Sequence, residues 1–116
     1  MRALLCCGLV IVLAGCASHP RDQRQAAYEA YWNCAFAEAR PYIDDHQVSP
    51  SAAAMRAQAQ CNDSYAQYRT VNSDYVRSVV RPDGYEMATR LADQSALQKR
   101  RDLTQRLTTW VAQARR

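Results

Sequence analysis

The stretch Asp44-Asp45-His46-Gln47-Val48-Ser49-Pro50 separates two segments of the chain that both have helical character. Ser49 is a favourable helix N-cap, and Pro50 suits the first helical position because no backbone N–H donor is needed there. On the other side, Pro41 must end or kink the preceding helix at about residues 39–40. The sequence therefore predicts a turn near residues 44–48 that joins two helices.

Two cysteines lie almost symmetrically about this turn. With the turn centred near residue 48, Cys34 lies fourteen residues before it and Cys61 thirteen residues after it. An antiparallel hairpin places such positions at nearly the same height, and a disulfide needs Cα atoms within about 7 Å. We expect a Cys34–Cys61 disulfide. The alternative, two free thiols or half a metal site, lacks companions because His19 and His46 lie away from both cysteines.

Apolar residues recur at helical spacing through three segments. In the first, Tyr28, Trp32, Ala35 and Ala39 follow one another at steps of four, three and four. A second helix is expected from Ser49-Pro50 to about residue 79, with Cys61 in the middle of its apolar stripe. The segment Arg81-Pro82-Asp83-Gly84 is a strong turn signal, and a third helix is expected from about residue 85 to residue 114.

The predicted fold is all-α, because no alternation of strand length occurs. It is a disulfide-stapled antiparallel helical hairpin plus a third long helix, that is, a three-helix bundle. The expected core is small, and alanines fill the rest; its larger aliphatic members are Ile43, Val71, Val76, Val79, Leu91, Leu103 and Leu107.

The chain begins with Met1-Arg2 and then the apolar run Ala3–Leu13. As a helix this run would be about 16 Å long at 1.5 Å per residue, against a hydrocarbon core of about 30 Å. It is too short to span a bilayer, whereas a positive start followed by a short apolar run is typical of a secretory signal.

The apolar run leads into Leu13-Ala14-Gly15-Cys16, which resembles the lipobox of bacterial lipoproteins at all four positions. The resemblance covers residues 1–16. It implies that Cys16 receives a thioether-linked diacylglycerol, that the chain is cut before Cys16, and that the new amino group is acylated. The alternative is a chance cysteine at the end of a signal peptide. The expected organisation is a signal peptide (1–15), a lipidated N-terminus with a short tether (16–21) and a helical domain (22–116).

The resemblance also bears on location. An aspartate after the lipidated cysteine favours retention in the inner membrane, and Ala17 and Ser18 lack this feature. The expected location is therefore the outer membrane of a Gram-negative bacterium, with the protein on its periplasmic side. Disulfides persist in exported proteins, so the compartment agrees with a Cys34–Cys61 bond.

Charge is uneven along the mature chain. Residues 17–80 carry six arginines and seven acidic residues, whereas residues 81–116 carry eight basic and four acidic residues, a net charge of +4. Nucleic acid is an unexpected partner in an envelope compartment. The basic end would face anionic lipid or an acidic protein surface; the alternative is a solvated helix face.

No residue set predicts a reaction centre. Nucleophilic catalysis needs a base beside a Ser or Cys, but His19 falls in the tether and His46 in a turn. Asp44, Asp45 and His46 superficially resemble a metal cluster, yet neighbours in a turn rarely converge on one ion. The sequence contains three glycines and no phosphate-binding loop. We expect no enzyme, metal or cofactor.

Two sets of residues are candidate binding sites. An aromatic set could line a groove for a glycan or a peptide, or fill gaps between alanine-rich helices. An apolar face on the third helix could contact a protein partner, or complete the bundle. The aromatic set is Tyr28, Tyr31, Trp32, Tyr65 and Tyr68, and the apolar face is Leu103, Leu107, Trp110 and Val111.

The leading functional interpretation is a non-enzymatic outer-membrane lipoprotein that interacts with, or assists assembly of, a protein of the cell envelope. The alternative is a lipoprotein that binds or inhibits through a glycan or peptide held by the aromatic set. An open aromatic groove would favour the alternative, and a closed core with one exposed apolar stripe on the third helix would favour a protein partner. The sequence does not indicate an oligomeric state.

Overall fold

The computed structural model describes residues 19–116, and this part of the chain is all-helical, with no strands. Four α-helices are present: α1 is Pro20–Ala39, α2 is Pro50–Gln60, α3 is Asn62–Ser78 and α4 is Tyr85–Ala114. Short 3₁₀-helices occupy Arg40–Ile43 and Pro82–Gly84. Within residues 19–116, no helix is both long enough and apolar enough to cross a membrane. The predicted lipobox, Leu13-Ala14-Gly15-Cys16, lies outside the described residues.

The helix ends follow the predicted local signals. α1 ends at Ala39, next to the residue before Pro41. The Ser49 hydroxyl oxygen accepts a hydrogen bond from the Ala52 N–H at 3.2 Å, and Pro50 opens α2. At the start of α1, the His19 Nδ1 accepts from the Arg21 N–H at 3.2 Å. These contacts satisfy backbone donors that helix formation leaves unpaired.

The second helix was predicted to be continuous, and this is wrong. It is divided into α2 and α3 at Cys61, whose backbone lies outside the helical region at φ −108° and ψ 25°. The Cys61 N–H bonds to the Gln58 carbonyl three residues back, at 2.9 Å, so the last turn of α2 is tightened. The Cys61 carbonyl then accepts from the Tyr65 N–H and starts α3. The described chain thus has four α-helices where three were predicted.

The predicted disulfide is present. It joins Cys34 on α1 to Cys61, with the Cα atoms 6.0 Å apart. Ring contacts beyond it show that α1 runs antiparallel to α3: Tyr31 packs on Tyr65, and Tyr28, one turn earlier in α1, packs on Tyr68, one turn later in α3. α4 packs along both α2 and α3, and it approaches α1 over a smaller area. This last arrangement leaves space between α1 and α4.

The core is rich in alanine, as expected, and its bulk comes from a few larger side chains. Half of the buried apolar residues in residues 19–116 are alanines, which let helix axes approach closely but bury little area each. Two residues expected in the core, Val79 and Leu91, are instead exposed. Val79 lies beyond the end of α3. Leu91 lies on a side of α4 that neighbouring helices leave uncovered, whereas Ala88 and Ala92 in the same part of the helix are buried.

Candidate functional site

A row of aromatic rings follows one face of α1. Tyr28, Trp32 and Phe36 are spaced four residues apart, so they stack along the helix with ring centroids 6.2 Å and 4.9 Å apart. Tyr28 continues the row onto Tyr68 of α3, at 5.3 Å, and Phe36 continues it onto Trp110 of α4, at 5.1 Å. We call these five residues the aromatic row. It links three helices through edge-to-face, tilted and stacked contacts.

The predicted aromatic set is divided between the core and the surface. Tyr31, Tyr65 and Tyr68 are buried, and Tyr31 packs on Tyr65 with centroids 5.2 Å apart. Tyr28 and Trp32 are half-buried and remain accessible from outside. The structure therefore brings all five together, and Tyr28 and Trp32 are the more accessible members of the set.

A groove runs between α1 and α4 where these helices separate. One end is a hollow of about 370 Å³ that includes Trp32, Phe36 and Trp110 in its wall. The other end is a hollow of about 550 Å³ that includes Tyr28 and Trp32. Both ends share three lining residues, so we treat them as one feature, the α1–α4 groove. Its α4 wall consists of Lys99, Asp102, Gln105, Arg106, Thr109, Trp110 and Gln113.

The α4 wall of the groove is cationic and rich in hydrogen-bonding groups. The Lys99 Nζ lies 5.1 Å from the ring centroid of Tyr28, and the Arg106 guanidinium carbon lies 5.5 Å from that of Trp32. Both are within cation–π range, which orients the two cations over the aromatic row. Asp102 is the one carboxylate among the lining residues of the groove, and it accepts a hydrogen bond from Gln98 at 2.8 Å. The groove therefore carries a positive excess.

The titration of Tyr28 reflects this position. Partial burial raises the pKa of its phenol above 10, and the nearby Arg106 guanidinium partly offsets that effect, while the Asp102 carboxylate adds to it. The phenol is therefore neutral at physiological pH. In the groove it acts as an apolar surface and a hydrogen-bonding group, not as a charge.

The apolar face predicted on the third helix lies on α4 and is mostly internal. Leu103, Leu107 and Val111 are fully buried, so in this fold they belong to the core and are not available as a contact surface. The cause is that α2 lies along this part of α4 and covers the face. Trp110, the fourth member, is half-buried, packs against Phe36 and lines the groove.

A polar relay crosses the core beneath the groove. The Tyr31 hydroxyl donates to the Gln58 Oε1 at 2.6 Å, and the Gln58 Nε2 donates to the Thr104 Oγ1 at 2.7 Å. Gln58 is 2% exposed, so both ends of its amide are satisfied inside the protein. Gln58 could not be recognised as a core residue from the sequence, where it is a polar residue next to Ala57 in the second predicted helix.

Arg115 is a second residue that sequence reasoning missed. Its guanidinium donates to the backbone carbonyls of Tyr42, Asp45 and Val48 at 2.7, 2.8 and 2.8 Å. It therefore fastens the end of α4 to the turn between α1 and α2. In the sequence Arg115 is one of the basic residues near the end of the chain, and only the folded position of the turn supplies its carbonyl acceptors.

The turn residues that resembled a metal cluster make ordinary turn contacts. The Asp45 Oδ1 accepts from the Gln47 N–H at 3.1 Å, and Asp44, Asp45 and His46 are all exposed. In residues 19–116 no group of three or more His, Cys, Asp or Glu side chains is placed to hold a metal ion. His19 caps α1.

In comparisons with known proteins, no protein-family model, curated protein or solved structure matches the chain.

Proposed function

We propose that the protein is a non-enzymatic lipoprotein of the bacterial outer membrane, facing the periplasm, and that the α1–α4 groove binds an acidic peptide segment of another envelope protein. The lipobox resemblance at Leu13-Ala14-Gly15-Cys16, after a short apolar run, supports the anchor at Cys16. Two or three acyl chains hold a protein on a membrane stably, whereas one gives marginal binding.

The open α1–α4 groove is the observation that carries the binding proposal. Along α4, its lining residues extend from Lys99 to Gln113, which is about 21 Å at 1.5 Å per residue. This length accommodates roughly four turns of helix or a shorter extended segment. An amphipathic helix lies in such a groove by placing its apolar face on aromatic side chains, here Trp32, Phe36 and Trp110.

The charge of the groove supports an acidic partner. Among the residues that line the groove, Lys99 and Arg106 are cationic and Asp102 is the single carboxylate. The groove also lies against α4, which belongs to the part of the sequence with a net charge of +4. Complementary charge raises the association rate and suppresses wrong partners, so an acidic segment with a few apolar anchors fits both walls.

A glycan is the second candidate, and a specific observation favours it. Trp32 and Trp110 present flat aromatic surfaces beside the hydrogen-bonding side chains of Asp102 and Gln105. Apolar C–H faces of a sugar ring can pack on such surfaces while its hydroxyls bond to the carboxylate and the amide.

We further propose that α2 and α3 act as one bent arm, which makes the helical domain a three-helix bundle. The polar contacts with α4 support this: Gln58 pairs with Thr104, Arg69 with Asp93, and Asn72 with the Ala92 carbonyl. As the residue number rises along α2 and α3, the number of the α4 residue in contact falls. This is the pattern of one helix packed antiparallel to α4. A bent arm between α1 and α4 keeps the groove open.

Photocrosslinking in the native envelope tests the proposed function. A benzophenone amino acid replaces Gln105, which lines both ends of the groove, or Gln67, an exposed residue of α3 outside it. We expect one protein adduct from position 105 that maps to an acidic segment, and none from position 67. Equal adducts from both positions would contradict the groove. Shifts of the Trp32 and Trp110 indole signals with an oligosaccharide, without a protein adduct, would favour the glycan.

A further inference from the structure

Exposed apolar side chains are concentrated at the turn between α3 and α4. Val79 and Val80 lie in the turn, and Met87 and Leu91 lie one helical turn apart at the start of α4. Val79, Met87 and Leu91 are 65%, 59% and 53% exposed. We call these four residues the turn-end patch. Most of the exposed large hydrophobic residues in residues 19–116 belong to it, and such a concentration marks an interaction surface.

Three arginines and two exposed carboxylates, Asp83 and Glu86, flank the turn-end patch. Arg77 lies over the ring of Tyr85 with its guanidinium carbon 4.8 Å from the centroid, and Arg90 pairs with Glu86 on the same face of α4. Arg81 is exposed in the turn itself. A mixture of exposed aliphatic side chains and long cationic ones is typical of segments that lie in a membrane interface, because the cations reach phosphates while the aliphatic groups enter the acyl region.

The N-terminal end of α1 is at the same end of the molecule. The Arg24 guanidinium carbon lies 3.8 Å from the ring centroid of Tyr75, near the end of α3, so the first turns of α1 lie beside the last turns of α3. Cys16 precedes His19, the first described residue, by three positions. Three residues span at most about 10 Å at 3.4 Å each. If Cys16 carries a lipid, this reach limits the lipid to the end of the molecule that holds the turn-end patch.

We propose that the turn-end patch inserts into the phospholipid leaflet that holds the lipid anchor. Val79, Val80, Met87 and Leu91 enter the boundary between headgroups and acyl chains, and Arg77 and Arg81 contact phosphates. This inference rests on the proposed lipidation of Cys16. It fixes the orientation of the molecule: the helices stand on the membrane at the α3–α4 turn, and the Phe36–Trp110 end of the groove points away from it.

Depth-dependent quenching on the full lipidated protein tests this orientation. Met87→Cys and Met55→Cys variants are each labelled with an environment-sensitive fluorophore and reconstituted into phosphatidylethanolamine–phosphatidylglycerol vesicles that contain spin-labelled lipid. Met55 is the matched control: it is 61% exposed, and it lies on α2, on the other side of the disulfide from the turn. The native cysteines do not react, because Cys34 and Cys61 are bonded and Cys16 carries the lipid.

We expect the label at position 87 to shift to shorter wavelength and to lose most of its emission, and the label at position 55 to keep both properties. Leu91→Glu should restore the emission at position 87, since it places a charge in the acyl region. A protein that floats with the vesicles while both labels stay bright would overturn the inserted patch and leave the anchor intact. A protein with no lipid on Cys16 that fails to float would overturn the anchor, and the patch with it.

Discussion

Gln58 is a polar side chain in a core built largely from alanine, and its position there depends on two partners. The Tyr31 hydroxyl donates to the amide oxygen of Gln58, and the amide nitrogen of Gln58 donates to the Thr104 hydroxyl oxygen. A buried polar group without a partner costs more than a satisfied one contributes. Gln58 therefore specifies how α1, α2 and α4 meet, because any other register leaves at least one of these groups unpaired.

Gln58→Leu is expected to lower the free energy of unfolding by about 1 to 3 kcal/mol, since it leaves the Tyr31 hydroxyl buried without an acceptor. Adding Tyr31→Phe should recover part of that loss, and Gln60→Leu, an exposed change on the same helix, should have little effect. Urea denaturation of Gln58→Leu, Tyr31→Phe, the double variant and Gln60→Leu measures this coupling. Strictly additive losses from the two core changes would contradict the relay.

Tyr31 also makes the stability dependent on alkaline pH. Burial raises its pKa to about 12, and the Arg100 guanidinium offsets part of that effect; burial raises the pKa of Tyr28 and Tyr68 as well. Burial raises the pKa of Tyr31 in the folded state only. The contribution of its neutral phenol to stability is therefore fully present below pH 10, the usual pKa of tyrosine. It is lost as pH rises through the folded-state pKa.

We therefore expect the free energy of unfolding to fall between about pH 10 and pH 12. Circular dichroism follows the helices while absorbance near 295 nm follows phenolate formation. Tyr31→Phe should reduce this pH dependence. If all seven tyrosines ionised together near pH 10 with the helices intact, the buried position of Tyr31 would be contradicted.

At the scale of elements, the disulfide fixes α1 against the bend between α2 and α3. It closes a loop of 27 residues, which in the chain-entropy model stabilises the fold by about 3 to 4 kcal/mol. The double variant Cys34→Ala/Cys61→Ala should lose stability of this order in chemical denaturation. A loss below about 1 kcal/mol would show that packing alone holds the hairpin.

The contact between Arg115 and the α1–α2 turn is the second restraint on these elements. Arg115→Ala removes the donor for three carbonyls, so amide exchange in residues 44–49 should accelerate, and stability should fall by about 1.5 to 3 kcal/mol. Arg116→Ala is the control, since that neighbour is exposed. Exchange in the turn that is unchanged by Arg115→Ala would contradict the restraint.

Elements with local signals could be predicted from the sequence. Pro41, Ser49-Pro50 and Arg81-Pro82-Asp83-Gly84 act on their own backbones, so the helix ends follow from them, and the disulfide followed from symmetry about one turn. The bend at Cys61 could not be predicted. No glycine or proline lies there, and the bend places α2 and α3 between two other helices.

At the scale of the whole molecule, the binding surface depends on where helices separate, and periodicity does not reveal this. Tyr28 and Tyr31 belong to the same apolar arc of α1, yet one lines the groove and the other lies in the core. The place of Arg106 over Trp32 depends on the spacing of α1 and α4, which the sequence pattern does not contain. Leu91 has helical core spacing but lies where no helix covers it.

Charge reversal at Arg106 shows whether the α1–α4 groove binds an acidic partner. Arg106→Glu is compared with Arg101→Glu, which reverses the same charge at an exposed position of α4 that is not part of the groove lining. For each variant we measure the amount of photocrosslinked product from position 105 and the melting temperature. The account predicts that Arg106→Glu loses most of the adduct, that Arg101→Glu keeps it, and that both variants melt near the parent temperature. Undiminished capture by Arg106→Glu, or equal loss in both variants, would contradict the claim.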